Sequence, residues 1–172
     1  YVEHAPGFAV KDNIFRLNLA TPNGRLALGG ALFASDSPGG VVEDNQFLGN
    51  KGTVAWRSSV TNCAGGAAFA AGSDDLSVQG NIFADNACAV LGRALGGALA
   101  IINSKEPQII ANNFERNTGM LFGKIGSSPY SNFIGGGGVG MAHVRGGLVL
   151  SNTFFANVAG GSFVGDPASS KV

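Results

Sequence analysis

The chain has 172 residues, enough for one domain or a piece of a longer one, and its 11 basic side chains balance 11 acidic ones. That neutrality, with only 13% charged residues, leaves no electrostatic footprint for nucleic acid or for an anionic membrane surface. Its apolar runs, such as 98–102, are too short to cross a bilayer, and 45% hydrophobic residues with only 6 prolines exclude a disordered low-complexity chain.

Along the chain, residues 1–8 carry Pro6-Gly7 and no repeat signal, and read as a worn rung or a loop. A motif then recurs five times, Asn-x-Phe-x-x-Asn: Asn13, Phe15 and Asn18; Asn45, Phe47 and Asn50; Asn81, Phe83 and Asn86; Asn112, Phe114 and Asn117; Asn152, Phe154 and Asn157. A short β-prone run leads into each, from GFAVKDNIF at 7–15 to GLVLSNTF at 147–154. Gly-Gly precedes four of the motifs, at Gly29-Gly30, Gly65-Gly66, Gly96-Gly97 and Gly137-Gly138, and the second Gly stands 15, 15, 15 and 14 residues before the motif Asn. A second strand follows each pair, at 31–34, 67–70, 98–101 and 139–142. From the closing Asn to the next Gly-Gly the distances are 11, 15, 10 and 20, so one arc of each coil is constant and the other varies as a loop.

No segment combines a helical period with caps. Three short strands per coil, 31 to 40 residues from Phe to Phe, would stack copy on copy into parallel sheets. The expected fold is all-β: a right-handed parallel β-helix, a solenoid of about five rungs that forms part of a longer one, with handedness from the crossover rule. Residues 1–172 read as a single segment, with clear repeats over 7–157 and a C-terminal turn or the start of the next coil at 158–172.

The recurring residues have physical roles in such a stack. Phe15, Phe47, Phe83, Phe114 and Phe154 would form one interior column. The first Asn of each motif tolerates left-handed backbone angles, and its amide can bond from rung to rung; the second, Asn18, Asn50, Asn86, Asn117 or Asn157, ends the strand and releases the loop. Gly-Gly admits positive φ at a tight corner. After it, the slots of Ala31, Ala67, Ala98 and Val139, and of Phe33, Phe69, Ala100 and Met141, are expected to face inward. Outside, Lys11 would stack on Glu43, Asp85 on Arg116, and Asp12 on Asp44; the last pair lacks the further oxygen donors a Ca²⁺ site needs, so no metal or cofactor is assigned. Cys63 and Cys88 both fall in variable arcs, and a disulfide between them and two separate buried thiols are both open readings.

Phe-x-x-Asn alternating with Gly-Gly-Ala-(Ile/Leu/Val) resembles the repeats of chlamydial polymorphic membrane proteins. The matches are FRLN, FLGN, FADN, FERN and FFAN, with GGAL at 29–32 and 96–99 and GGAA at 65–68. GGAA lacks the large fourth residue, and GGGGVG at 135–140 is degenerate. The resemblance implies a β-helical passenger of a surface-exposed, autotransporter-type adhesin, and therefore an extracellular or cell-surface location.

Function reads as non-catalytic: a surface module for adhesion or for assembly of a cell-envelope structure. Its partners would be other proteins, on a host surface or in neighbouring subunits, with glycans as a further class, and without nucleic acid or direct membrane insertion. The candidate partner-binding loop is the longest variable arc, 118–136, with Met120, Leu121, Phe122, Tyr130 and Phe133. The alternative is a fragment of a pectate-lyase-like polysaccharide-processing enzyme, since β-helices also host that chemistry. Against it, Asp74-Asp75 is the only adjacent Asp pair, and His4 and His143 are isolated from any acid cluster.

Overall fold

The computed structural model describes residues 1–20, 26–52, 62–90, 93–122 and 134–162. Every described strand pairs in parallel with the strand one repeat away, and the described residues contain no helix. Five sheets result, an arrangement consistent with a parallel β-helix.

Sheet I contains Val2–Glu3, Leu32–Ser35, Ala68–Ala71, Leu99–Ile102 and Val139–Ala142. Sheet II contains Ala9–Lys11, Val41–Glu43, Ser77–Gln79, Gln108–Ile110 and Leu148–Leu150. Sheet III contains Ile14–Arg16, Gln46–Leu48, Ile82–Ala84, Asn113–Glu115 and Thr153–Phe155. Two further sheets lie beyond the closing Asn of each motif. Sheet IV contains Ala87–Val90, Thr118–Phe122 and Val158–Ser162; sheet V contains Leu26–Leu28, Asn62–Ala64, Arg93–Leu95 and Ile134–Gly135. The opening residues are a rung and not a loop, because Val2 and Glu3 pair with Ala34 and Ser35.

Sheets I to III enclose the main core. Its axis is the Phe column: neighbouring rings of Phe15, Phe47, Phe83, Phe114 and Phe154 lie 4.7 to 5.0 Å apart and within 8° of parallel. Leu32, Ala34, Val42, Leu76, Val78, Leu99, Ile101 and Ile109 fill the remainder. Extended strands alternate their faces, so with Leu32 and Ala34 inside, Phe33 must leave by the other side of sheet I. The expected inward slot of Phe33, Phe69 and Ala100 is therefore corrected: none belongs to the main core. Phe33 and Phe69 instead form a second stack with Tyr1, at 4.9 and 5.5 Å.

The fourth glycine corner is also re-registered. Gly96 and Gly97 donate to the carbonyls of Gly135 and Gly136, and Leu99 pairs with Val139, so the corner pair is Gly136-Gly137 and Gly138 stands in the place of Ala98. Counted from Gly137, Asn152 is 15 residues on, the same spacing as in the other three rungs. Met141 accordingly pairs with Ile101 and not with Ala100.

Candidate functional site

Three polar columns hold the corners of the coil. In the first, Asn13, Asn45, Asn81, Asn112 and Asn152 stack, and each main-chain N–H donates to the Oδ1 one rung on, at 2.9 to 3.0 Å. The second repeats this through Asn18, Asn50, Asn86, Asn117 and Asn157. Interior amides complete their valences on carbonyls, as Asn81 Nδ2 does on Val42 and Gln79. They are buried without strain because every group has a partner. A third column, unseen in the sequence, runs through Ser37, Ser73 and Ser104: the Ser37 N–H donates to Ser73 Oγ, and the Ser73 N–H to Ser104 Oγ. Its signal was available, since each Ser lies seven residues after the second Gly.

The left-handed turns do not fall on the asparagines, as expected, but on the residues before them. Asp12, Asp44 and Ala111 precede the first ladder with φ of 53° to 56°, and Leu17, Asp85 and Arg116 the second with 51° to 57°. The chain reverses one residue early so that each Asn can aim its amide into the stack. Aspartate and glycine ease this conformation, but Ala111 and Leu17 show that the ladder also imposes it on residues that disfavour it.

The two glycines of each corner divide their work. The first takes positive φ, 58° at Gly29 and 66° at Gly65. The second allows close approach: a Cβ on Gly66 would lie 2.6 Å from the Ala87 main chain, and one on Gly97 would lie 2.6 Å from that of Thr118. Sheet IV begins at these residues. The chain thus leaves the three-sided core through sheet IV, returns along sheet V, and nearly touches itself at a neck. Asn86, Asn117 and Asn157 consequently open a sheet IV strand rather than a loop, while after Asn18 and Asn50 the chain makes isolated bridges through Leu19 and Lys51.

Small residues line the neck. Ala27, Cys63, Cys88 and Ala94 form a buried cluster of their own, separate from the main core. Cys63 in sheet V and Cys88 in sheet IV are joined by a disulfide with Cα atoms 5.7 Å apart. The bridge spans 25 residues, and those residues make one complete pass through sheets I, II and III. One rung is therefore a covalently closed ring. The sequence signal for this neck is a small residue two positions after each closing Asn: Ala20, Gly52, Cys88, Gly119 and Ala159.

The charged candidates are dispersed over the exterior. Lys11 Nζ lies 2.6 Å from Glu43, and Arg116 binds Asp85 through Nε and Nη2 at 2.8 and 2.9 Å, with Glu115 alongside. Hydrogen bonding to that guanidinium holds the Asp85 carboxyl below the usual aspartate range. Asp74 of the adjacent Asp pair is engaged by Lys105, whose main-chain N–H it accepts at 2.8 Å. His4 stands 3.9 Å from Asp36, on a different rung from His143. Among the described residues no three His, Cys, Asp or Glu gather as a metal site.

The expected partner-binding loop divides. Met120, Leu121 and Phe122 belong to the sheet IV strand Thr118–Phe122, paired with Ala87–Val90 and Val158–Ser162, which corrects their reading as loop residues. Tyr130 and Phe133 lie outside the described residues. The described residues expose apolar side chains at both ends of the stack, among them Tyr1, Ile14 and Leu17 in the first rung and Val149, Phe154 and Phe155 in the last. Val149 and Phe154 are 47% and 52% exposed, although the residues above them in the same columns, Ile109 and Phe114, are fully buried.

No protein-family model matches the chain, and neither a curated protein nor a solved structure is found to match it.

Proposed function

We propose that this chain is a non-catalytic, surface-exposed module for adhesion or for assembly of an extracellular or cell-envelope structure, built as a right-handed parallel β-helix within a longer solenoid. One observation carries the reading: a ladder-bonded stack in which a disulfide closes an entire rung. Disulfides persist in oxidising compartments, which supports display outside the cytoplasm. Parallel sheets hydrogen-bonded from rung to rung along two asparagine ladders supply a stiff spacer, the mechanical property a displayed module requires. The motif resemblance to polymorphic membrane protein repeats points the same way. Partners are proteins of a facing surface or neighbouring subunits, with glycans as a second class.

Binding of the labelled chain to cultured cells and to a glycan array tests the reading. Saturable binding that unlabelled protein competes is expected, together with no cleavage of polygalacturonate or other polysaccharides. Measurable turnover of a polysaccharide would replace the module with an enzyme.

A further inference from the structure

The corner between sheets I and II carries two columns of exposed side chains with an inner column between them. The register aligns Asn103 with His143, Ser104 with Val144 and Lys105 with Arg145. Asn103, Lys105, His143 and Arg145 are exposed, Ser104 is buried and Val144 is half-buried. Together they line one trough of about 480 Å³. Asn103 and His143 form one wall, Lys105 and Arg145 the other, and Ser104 and Val144 the floor. Because the walls run along the axis, the trough opens to the side of the stack. Further rungs above or below would prolong it without closing it.

Its floor holds a broken ladder. Ala5, Ser37 and Ser73 each donate a main-chain N–H to the serine Oγ one rung on. At Ser104 the series stops, because the next rung offers Val144, whose side chain packs on the main core. The Ser104 N–H is buried and has no acceptor among the described residues. A buried donor without a partner is rare in a native fold and calls for an acceptor from outside the chain.

The charges along the corner change sign at the same place. Above, it carries Asp36 beside His4, and then Asp74, which lies 3.5 Å from Lys105 Nζ. Below Asp74 the ionisable side chains of the two walls are all basic: Lys105, His143 and Arg145. Arg145 forms no ion pair among the described residues. The flanking column brings Asp75 and Glu106, but neither pairs with Lys105 or Arg145 among the described residues, and Glu106 lies over Gly146.

We propose that this trough binds an anionic glycan, with a sulfate or carboxylate oxygen held between Lys105 and Arg145. The ammonium and guanidinium supply the charge. Asn103 Nδ2 and a ring N–H of His143 meet sugar hydroxyls from the facing wall, and the Ser104 N–H is the donor at the floor. Equivalent side chains stand ~4.8 Å apart along the axis, so a ligand that meets both rungs is elongated and lies parallel to the stack. The lining favours a sugar over nucleic acid, because it has no Phe, Tyr or Trp on which bases could stack. It also favours a sugar over an acidic peptide, because Val144 alone is apolar and no pocket takes a hydrophobic anchor. This deepens the glycan class of partner given above and rests on that reading.

Short oligosaccharides of dextran sulfate, polygalacturonate and uncharged dextran, titrated calorimetrically into the 172-residue chain, test it. An anionic oligosaccharide should bind, more weakly as salt rises, and dextran should not; the tighter of the two anions identifies the group. Lys105→Gln with Arg145→Gln should weaken binding about tenfold, with circular dichroism unchanged. Arg16→Gln with Lys51→Gln removes the same charge from sheet III and the corner beyond it, and should leave binding unaltered. Asp74→Asn releases Lys105 from its carboxylate and should tighten binding severalfold, which a merely structural role for Lys105 would not produce. No binding of either anion up to about 1 mM overturns the proposal. So does equal binding of dextran, or equal weakening by the two double variants. Cell binding that neither anion competes, and that Lys105→Gln with Arg145→Gln leaves intact, overturns the trough alone. Cleavage of polygalacturonate would instead overturn the non-catalytic module and the glycan site that rests on it.

Discussion

Asn45 donates twice to a single atom of the next rung: its main-chain N–H and its Nδ2 reach Asn81 Oδ1 at 2.9 and 3.0 Å. All three groups are buried, so the oxygen of Asn81 satisfies two donors that have no access to water. The same amide returns a bond to Val42 O across the preceding strand. With a further bond from its Nδ2 to Asn112 Oδ1 at 2.9 Å, one side chain ties three rungs of the stack.

Asn81→Ala should consequently be among the costliest polar substitutions in the chain. It strips the acceptor from the Asn45 main-chain N–H, at about 1–3 kcal/mol for a buried group left unpaired, while Asn45 Nδ2 keeps the carbonyls of Val10 and Glu43. Asn13→Ala, at the exposed head of the same ladder, should cost well under half as much in urea denaturation. Equal losses at the two sites would show that the ladder is not what stabilises the corner.

The Phe column allows a similar comparison of burial at constant chemistry. Phe83 is fully buried between two rings, and Phe83→Ala should cost ~3–5 kcal/mol. Phe154→Ala removes a ring already 52% exposed and should cost clearly less.

Replacing the bridge with Cys63→Ala and Cys88→Ala should keep the fold while lowering its stability by about 3.5 kcal/mol, the loop-closure value for 25 residues. Alanine fits at Cys63, where Ala27 and Ala94 occupy the rungs on either side, and it is smaller than the Cys88 side chain it replaces opposite Gly119. Hydrogen exchange should quicken first in sheets IV and V, where the neck is held by small residues alone. A variant as stable as the parent would show that the neck is closed by packing.

The Asp85 and Arg116 pair predicts a pH effect of known sign. The guanidinium holds the folded-state carboxyl below the unfolded value, so its stabilisation is present above the ordinary aspartate pKa and is lost as pH falls through the folded one. The difference in stability between wild type and Asp85→Asn should be greatest near neutrality and vanish in strong acid. Both side chains are about half exposed, so ~1 M salt should also erase it. A difference that grows on acidification would refute the pairing.

Much of this molecule was legible from spacing alone. Asn-x-Phe-x-x-Asn repeated five times set the register of sheets II and III, because a stacked coil must place like residues above one another for their rings and amides to meet. The columns of Lys11 with Glu43 and of Asp85 with Arg116 follow from the same count. The sequence could not decide how the rest of each coil returns. Sheets IV and V consist of Ala, Gly, Cys and Thr as much as of large apolar residues, and their lengths change from rung to rung, so they carry no period to read. The small residue two positions after each closing Asn marks the place, but it is the approach of the second glycine to the sheet IV backbone, as at Gly66 and Ala87, that shows the coil pinching shut there. The inward or outward sense of Phe33 was likewise a tertiary decision. Both faces of sheet I are apolar, and the side that packs on sheets II and III became inside only when the coil closed upon it.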